Sequence, residues 1–158
     1  MQNCSKGRAL YGPIATVIAT VFFIGYIPFA PGTFGTLAAM VTIWLLRPGL
    51  ESQAVILAVV AIAGVLSAHK AEKALAEPDS KHIVIDEFAG YLVSVFSLPL
   101  TGWYLLAAFI LFRFFDILKP PPIRNIERMT GGGLGIMLDD IVAGIFTNAL
   151  LQAWRHFT

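Results

Sequence analysis

Apolar runs separated by short clusters of charge, glycine and proline set the layout of this chain. The first run extends from Ile14 to Phe29 behind Lys6 and Arg8. It has the basic start and apolar middle of a signal peptide, but Pro28, Phe29 and Ala30 make a poor small-x-small cleavage site, so the run is expected to be retained. Gly25, Pro28, Pro31, Gly32 and Gly35 then break the pattern. Irregular backbone at membrane depth survives only where protein or water covers it, so this stretch reads as a re-entrant or interfacial loop. A second helix is predicted from about Thr36 to Leu46. A third starts near Ser52 and carries Ala54, Ala58, Ala61, Gly64, Ala68 and Ala71 at spacings of three and four, a small-residue stripe of the kind that packs membrane helices closely. The polar segment from His69 to His82 reads as a solvated connection.

The later runs carry acids. Phe88 to Leu100 supplies roughly 20 Å of helix at 1.5 Å per residue, against a hydrocarbon core of about 30 Å, which draws Asp86 and Glu87 towards the bilayer. On that helix Asp86, Gly90, Ser94 and Ser97 share one face. A fifth helix, Trp103 to Leu118, bears Arg113 and Asp116 three residues apart, close enough to pair with each other. Pro120, Pro121 and Pro122 end it just after Lys119. Ile123 to Met129, with Arg124, is predicted as a short surface helix. Gly131, Gly132, Gly133 and Gly135 form a flexible approach to a last helix, which starts near Asp139 and sets Asp140, Gly144, Thr147 and Asn148 on one stripe.

Composition turns these runs into membrane segments. The 158 residues are 57% hydrophobic and 13% charged, with mean hydropathy +0.75, where soluble chains average about a quarter charged. The expectation is an all-α, polytopic membrane helix bundle of about five to six hydrophobic segments, with a re-entrant or interfacial N-terminal segment. It forms a single integral membrane domain over 1–158, with a polar tail at 1–12. A net charge of +1 argues against a nucleic-acid partner, which needs a concentrated basic face. Cys4 has no intrachain partner, so disulfides are excluded.

If the link at Pro99 to Gly102 lies outside, every polar motif falls on the other side of the membrane. Lys70, Lys73, Lys81, Lys119, Arg124 and Arg128 crowd that side and mark it as cytoplasmic. Asp86, Glu87, Asp116, Asp139 and Asp140 then converge on one face. They cannot all stay ionised at close range without a cation. All-oxygen donors favour Mg²⁺ or Mn²⁺, and no Cys or His cluster suggests zinc. Asp86, Glu87, Asp139 and Asp140 are the candidate metal ligands, and the five acids together are the candidate catalytic set. Arg113, Lys119 and Arg124 are the candidate phosphate-binding cations. Thr33 and Thr36 join them if the Gly/Thr loop cradles phosphate; the alternative is a plain helix start with a threonine cap. These features predict a Mg²⁺-dependent enzyme acting on a lipid phosphate at the cytoplasmic surface. Metal-activated water and an aspartyl-phosphate are both open as mechanisms, as is the division of the acids between ligand and base. The alternative function is a small transporter using buried carboxylates for cation or proton coupling, although the chain shows no internal repeat.

Four motifs also resemble one family in order: PGTFGT at 31–36, DEFAG at 86–90, FRFFDILKPPPI at 112–123 and GGLGIMLDDIVAG at 132–144. Together they are similar to the phosphatidylglycerophosphatase A family, over most of the chain from about Gly25 to Asn148. The resemblance implies a Mg²⁺-dependent, multi-pass enzyme of the bacterial inner membrane that converts phosphatidylglycerophosphate to phosphatidylglycerol. One departure is the proline in KPPPI where an aromatic residue is common, which bears on how lipid is gripped rather than on the chemistry.

Overall fold

The bundle is assembled around one short helix, Ile85–Val95. The computed structural model describes residues 13–75, 80–121 and 132–157. Among them the regular elements are all helical. They are α1 over 13–19, a 3-10 turn at Ile24–Tyr26, α2 (Pro31–Leu46), α3 (Leu50–Leu75), α4 (Ile85–Val95), α5 (Gly102–Leu118) and α6 (Gly132–Phe157). The predicted short helix at 123–129 and Arg124 lie outside the described residues.

Helix α4 packs against α2, α3, α5 and α6, with α6 its most extensive neighbour. Seven of its 11 residues are buried, which makes it the core element rather than a lipid-facing one. Small residues set the closeness of the α4–α6 contact. A Cβ at Gly90 would stand 2.7 Å from the Asp140 carbonyl oxygen, and one at Gly144 would collide with the Gly90 carbonyl oxygen and lie 2.9 Å from Val93 Cβ. Each of these glycines lies one turn beyond an acid, Gly90 after Asp86 and Gly144 after Asp140. The two approaches that join the helices therefore also bring the two acids together.

At 11 residues α4 is about 16 Å long, too short to cross a bilayer. Its far end is closed by side chains from neighbouring helices. Asn148 Nδ2 donates to the Ser94 and Phe96 carbonyl oxygens at 3.1 and 2.8 Å. Gln53 Oε1 accepts from the Ser97 N–H at 3.0 Å, and Arg155 Nη1 donates to the Ser97 carbonyl oxygen at 3.1 Å. Helix-end backbone groups that would be costly in an apolar setting are thereby satisfied. Tyr91, fully buried, donates from its hydroxyl to the Leu105 carbonyl oxygen at 2.9 Å and ties α4 to α5.

Two glycine-rich stretches expected as loops are helical. PGTFGT forms the first turns of α2, with Pro31 at the helix start, where its fixed φ and missing N–H cost nothing. The GGLG stretch opens α6, which begins at Gly132 rather than near Asp139. In both places the expectation treated glycine as a breaker. At Gly32 and Gly35 the structure uses it to admit a neighbour: a Cβ at Gly35 would lie 2.9 Å from Val84 Cβ, and one at Gly32 would strike Glu87 Oε1. The small-residue stripe of α3 is buried only at its later part, at Gly64, Ala68 and Ala71, while Ala54 and Ala58 face outward.

Leu50–Ala71 is the one stretch among the described residues long and apolar enough to cross a membrane on its own, and only 22% of it is buried in the bundle. The expected count of five or six spans is not reached on length and composition, because α2 has 16 residues, α4 has 11 and α5 has 17. Large apolar side chains nonetheless cover the outer faces. Trp44, Leu45, Ile62, Leu66, Trp103, Ile110, Ile117 and Trp154 are all exposed.

Candidate functional site

Three helix ends meet at a polar cavity of about 340 Å³. The first turn of α4 contributes Asp86 and Glu87. The end of α5 contributes Arg113, Asp116 and Lys119, the last in the left-handed C-cap conformation with φ 42°. Helix α6 contributes Asp139 and Asp140. The start of α2 closes one side through Ala30, Pro31 and Gly32, and the turn before α4 adds Ser80, Lys81 and Ile83. Because Gly32 has no side chain, Glu87 and Arg113 can occupy the space beside α2.

Carboxylate oxygens of Asp86, Glu87 and Asp140 lie within 4.8 Å of one another. The cations are arranged around this group. Arg113 Nη1 is 2.5 Å from Asp116 Oδ2 and 3.9 Å from Glu87 Oε1. Lys119 Nζ donates to Asp139 Oδ2 at 2.6 Å. The i, i+3 pairing of Arg113 with Asp116 and a place at the cavity are thus both realised.

Asp86 and Glu87 stand in the first turn of α4, whereas Asp139 and Asp140 lie within α6. Burial holds the Asp86 carboxyl well above the usual carboxylate range, and Glu87 adds to the effect. Burial also raises Glu87, opposed by its hydrogen bond with Asp86 and by Arg113. Asp86 Oδ1, Glu87 Oε2, Asp139 Oδ1 and Asp140 Oδ2 are buried without a hydrogen-bond partner, as is Arg113 Nε. Buried polar atoms normally have partners. Asp86, Glu87 and Asp140, the three carboxylates that converge, each carry an unpartnered buried oxygen, which fits a hard divalent cation, and an unpartnered guanidinium nitrogen on a residue lining the same cavity fits an anion.

A sequence model of the family described as Phosphatidylglycerophosphatase A matches residues 17–155. The chain belongs to the phosphatidylglycerophosphatase A family. It is 40% identical to the phosphatidylglycerophosphatase A of Escherichia coli strain K12, over 98% of this chain and 91% of that one. Against the Haemophilus influenzae phosphatidylglycerophosphatase A it is 38% identical, over 99% of this chain and 97% of the relative. A Bacteroides thetaiotaomicron protein carrying the provisional name phosphatidylinositol-3-phosphatase is 37% identical, over 90% of this chain and 94% of that one. No solved structure matches the chain. Membership in the phosphatidylglycerophosphatase A family makes the chain a phosphatase.

Of the residues singled out from sequence, Asp86, Glu87, Arg113, Asp116, Lys119, Asp139 and Asp140 line one cavity. Asp139 stands apart from the three-carboxylate group because Lys119 holds it. Thr33 and Thr36 do not line the cavity. Thr36 is fully buried and its hydroxyl donates back to the Gly32 carbonyl oxygen at 2.9 Å, a bond within α2 that leaves it no donor for a phosphate. Ser80, Lys81 and Ile83 line the cavity without having been singled out for it. Their only signal was position, just ahead of the acidic pair in a segment that resembled a solvated linker.

Proposed function

We propose that this phosphatase removes the terminal monoester phosphate of phosphatidylglycerophosphate, giving phosphatidylglycerol and inorganic phosphate, in a Mg²⁺-dependent reaction at the cytoplasmic face of a bacterial inner membrane. The observation that carries the chemistry is the convergence of the Asp86, Glu87 and Asp140 oxygens within 4.8 Å, with unpartnered buried oxygens among them. Asp86, Glu87 and Asp140 would hold the ion. When bound, it supplies Lewis-acid polarisation of the phosphoryl group and lowers the pKa of a bound water.

The protein's own groups do the rest. Arg113, with Nε unpartnered, orients the phosphoryl oxygens and offsets charge that grows on them in the transition state. Asp139 keeps one oxygen in its bond to Lys119 and has Oδ1 left to take the proton of the attacking water. As water adds to phosphorus, the bond from phosphorus to the glycerol oxygen breaks, and Lys119 is the nearby donor for that leaving oxygen. The protein is a multi-pass membrane enzyme in this reading. Leu50–Ala71 spans alone, and the exposed apolar faces of α2, α5 and α6 meet lipid, with modest bilayer thinning matching their shorter lengths. Lys70, Lys81 and Lys119 at the cavity end of the bundle favour the cytoplasmic side for it.

Phosphate release from phosphatidylglycerophosphate in mixed micelles is the test. Chelation with EDTA is expected to abolish release and added Mg²⁺ to restore it. Asp86→Asn and Asp140→Asn are each expected to lower kcat by at least about 10³-fold while the protein still inserts. Undiminished turnover by a chain carrying both substitutions together with Glu87→Gln would overturn the metal site. Cation flux into vesicles without phosphate release would support the transporter instead.

A further inference from the structure

Among the described residues, the cavity has an inner set of charges and one further, exposed cation. Arg113 is tied to Asp116 and Lys119 to Asp139, so both inner cations already answer an acid. Lys81 lines the same cavity, is exposed, and makes no ion pair with any described residue. Its long side chain would ordinarily be mobile, but the backbone that carries it is fastened on both sides. Ser80 and Ile83 are buried at 4% exposure each, and the Ile83 N–H donates to the Ser80 carbonyl oxygen at 2.9 Å. The His82 ring bonds through Nδ1 to the Gly25 carbonyl oxygen at 2.9 Å and stacks on Tyr26 with centroids 4.7 Å apart. Val84 then donates its N–H to the Ala19 carbonyl oxygen at 2.9 Å. Lys81 is thus the outward-facing residue of a turn pinned to the N-terminal segment, presented at a fixed point beside the acids.

The substrate of the proposed reaction has two phosphates, a terminal monoester that reacts and a diester that joins the glycerol headgroup to the lipid glycerol, a short carbon bridge away. With the monoester at the acidic end of the cavity, the diester falls towards the mouth. We propose that Lys81 is a specificity-determining residue that binds the diester phosphate, so that the enzyme selects lipids carrying both phosphates. This rests on the phosphatase reading above. The interaction is a cation with an anionic oxygen and makes no demand on the headgroup between the two phosphates.

The two products separate the two subsites. Phosphatidylglycerol has the diester and no monoester, and inorganic phosphate has neither lipid nor diester. For Lys81→Gln, KM for phosphatidylglycerophosphate and the inhibition constant of phosphatidylglycerol are both expected to rise about tenfold, the loss of one charge-assisted contact. The kcat and the inhibition constant of inorganic phosphate are expected to stay at wild-type values, and Lys81→Arg is expected to restore the first two. Unchanged KM and phosphatidylglycerol inhibition would overturn the role of Lys81 alone. A fall in kcat shared by Lys81→Gln and Lys81→Arg would also overturn it, in favour of a structural role for the turn. Absence of phosphate release by the wild-type protein with Mg²⁺ would instead reject the phosphatase reading beneath it.

Discussion

Substituting Gly90 by alanine probes whether the α4–α6 contact assembles the site. The added Cβ would stand 2.6 Å from Phe112 Cε2 and 2.7 Å from the Asp140 carbonyl oxygen. Phe112 is fully buried and has nowhere to swing, and the carbonyl belongs to the backbone of α6. The helices must therefore separate by at least about 0.7 Å to bring that contact to an ordinary 3.4 Å. Overpacking of this kind costs roughly 1–3 kcal/mol, against roughly 0.5–1 kcal/mol gained by replacing a helical glycine. A net loss of about 1–2 kcal/mol is expected. The larger effect is on chemistry, because Asp86 lies one turn from Gly90 and Asp140 itself carries the carbonyl that is pushed away, and displacements near 1 Å at a reacting centre can cost on the order of 10²-fold in rate. Turnover of phosphatidylglycerophosphate and the thermal unfolding midpoint in detergent are the measurements. Gly102→Ala is the control, since a Cβ there meets nothing within 4 Å. Wild-type turnover and an unshifted midpoint in Gly90→Ala would refute the proposal that this close approach builds the carboxylate group.

Tyr91→Phe removes the hydroxyl that donates to the Leu105 carbonyl oxygen, and is expected to cost about 1–2 kcal/mol of stability, read by thermal unfolding, with kcat unchanged because Tyr91 does not line the cavity. Lys119→Ala leaves Asp139 without its 2.6 Å partner, and is expected to lower kcat by about 10²-fold in the phosphate-release assay, with Lys119→Arg retaining more activity than alanine. Equal activity of the alanine and arginine variants would show that the charge at that position is not used.

Which charged residues deserved attention was legible from residue type alone. Charged groups in or at the ends of apolar runs are costly enough to imply a purpose, and five acids and two cations picked out there line one cavity. The all-helical architecture followed from the length and spacing of the apolar runs in the same way. The glycine stretches are helical, against the sequence pattern, for a physical reason. Sequence rules rank glycine as a helix breaker because in water it loses backbone entropy, but between packed helices its missing Cβ is an asset, and the helix survives where a neighbour fills the space. PGTFGT therefore forms a helix whose glycines make room for Val84 and for Glu87, and Thr36 spends its hydroxyl within that helix instead of on a ligand.

By itself the sequence determined that this chain is an all-helical bundle carrying acids and cations suited to phosphate chemistry, because those properties depend on residue type and on spacing within one helix. Tertiary structure alone decided which acids meet. Asp139 and Asp140 are neighbours in the chain, yet Lys119 takes Asp139 while Asp140 joins Asp86 and Glu87, since adjacent residues on α6 point in directions about 100° apart and only packing fixes what each one faces. The same holds for Lys81. Nothing in its local sequence distinguishes it from a solvated lysine, and only the latch of His82 on Gly25 and Tyr26 places it at the mouth of the cavity.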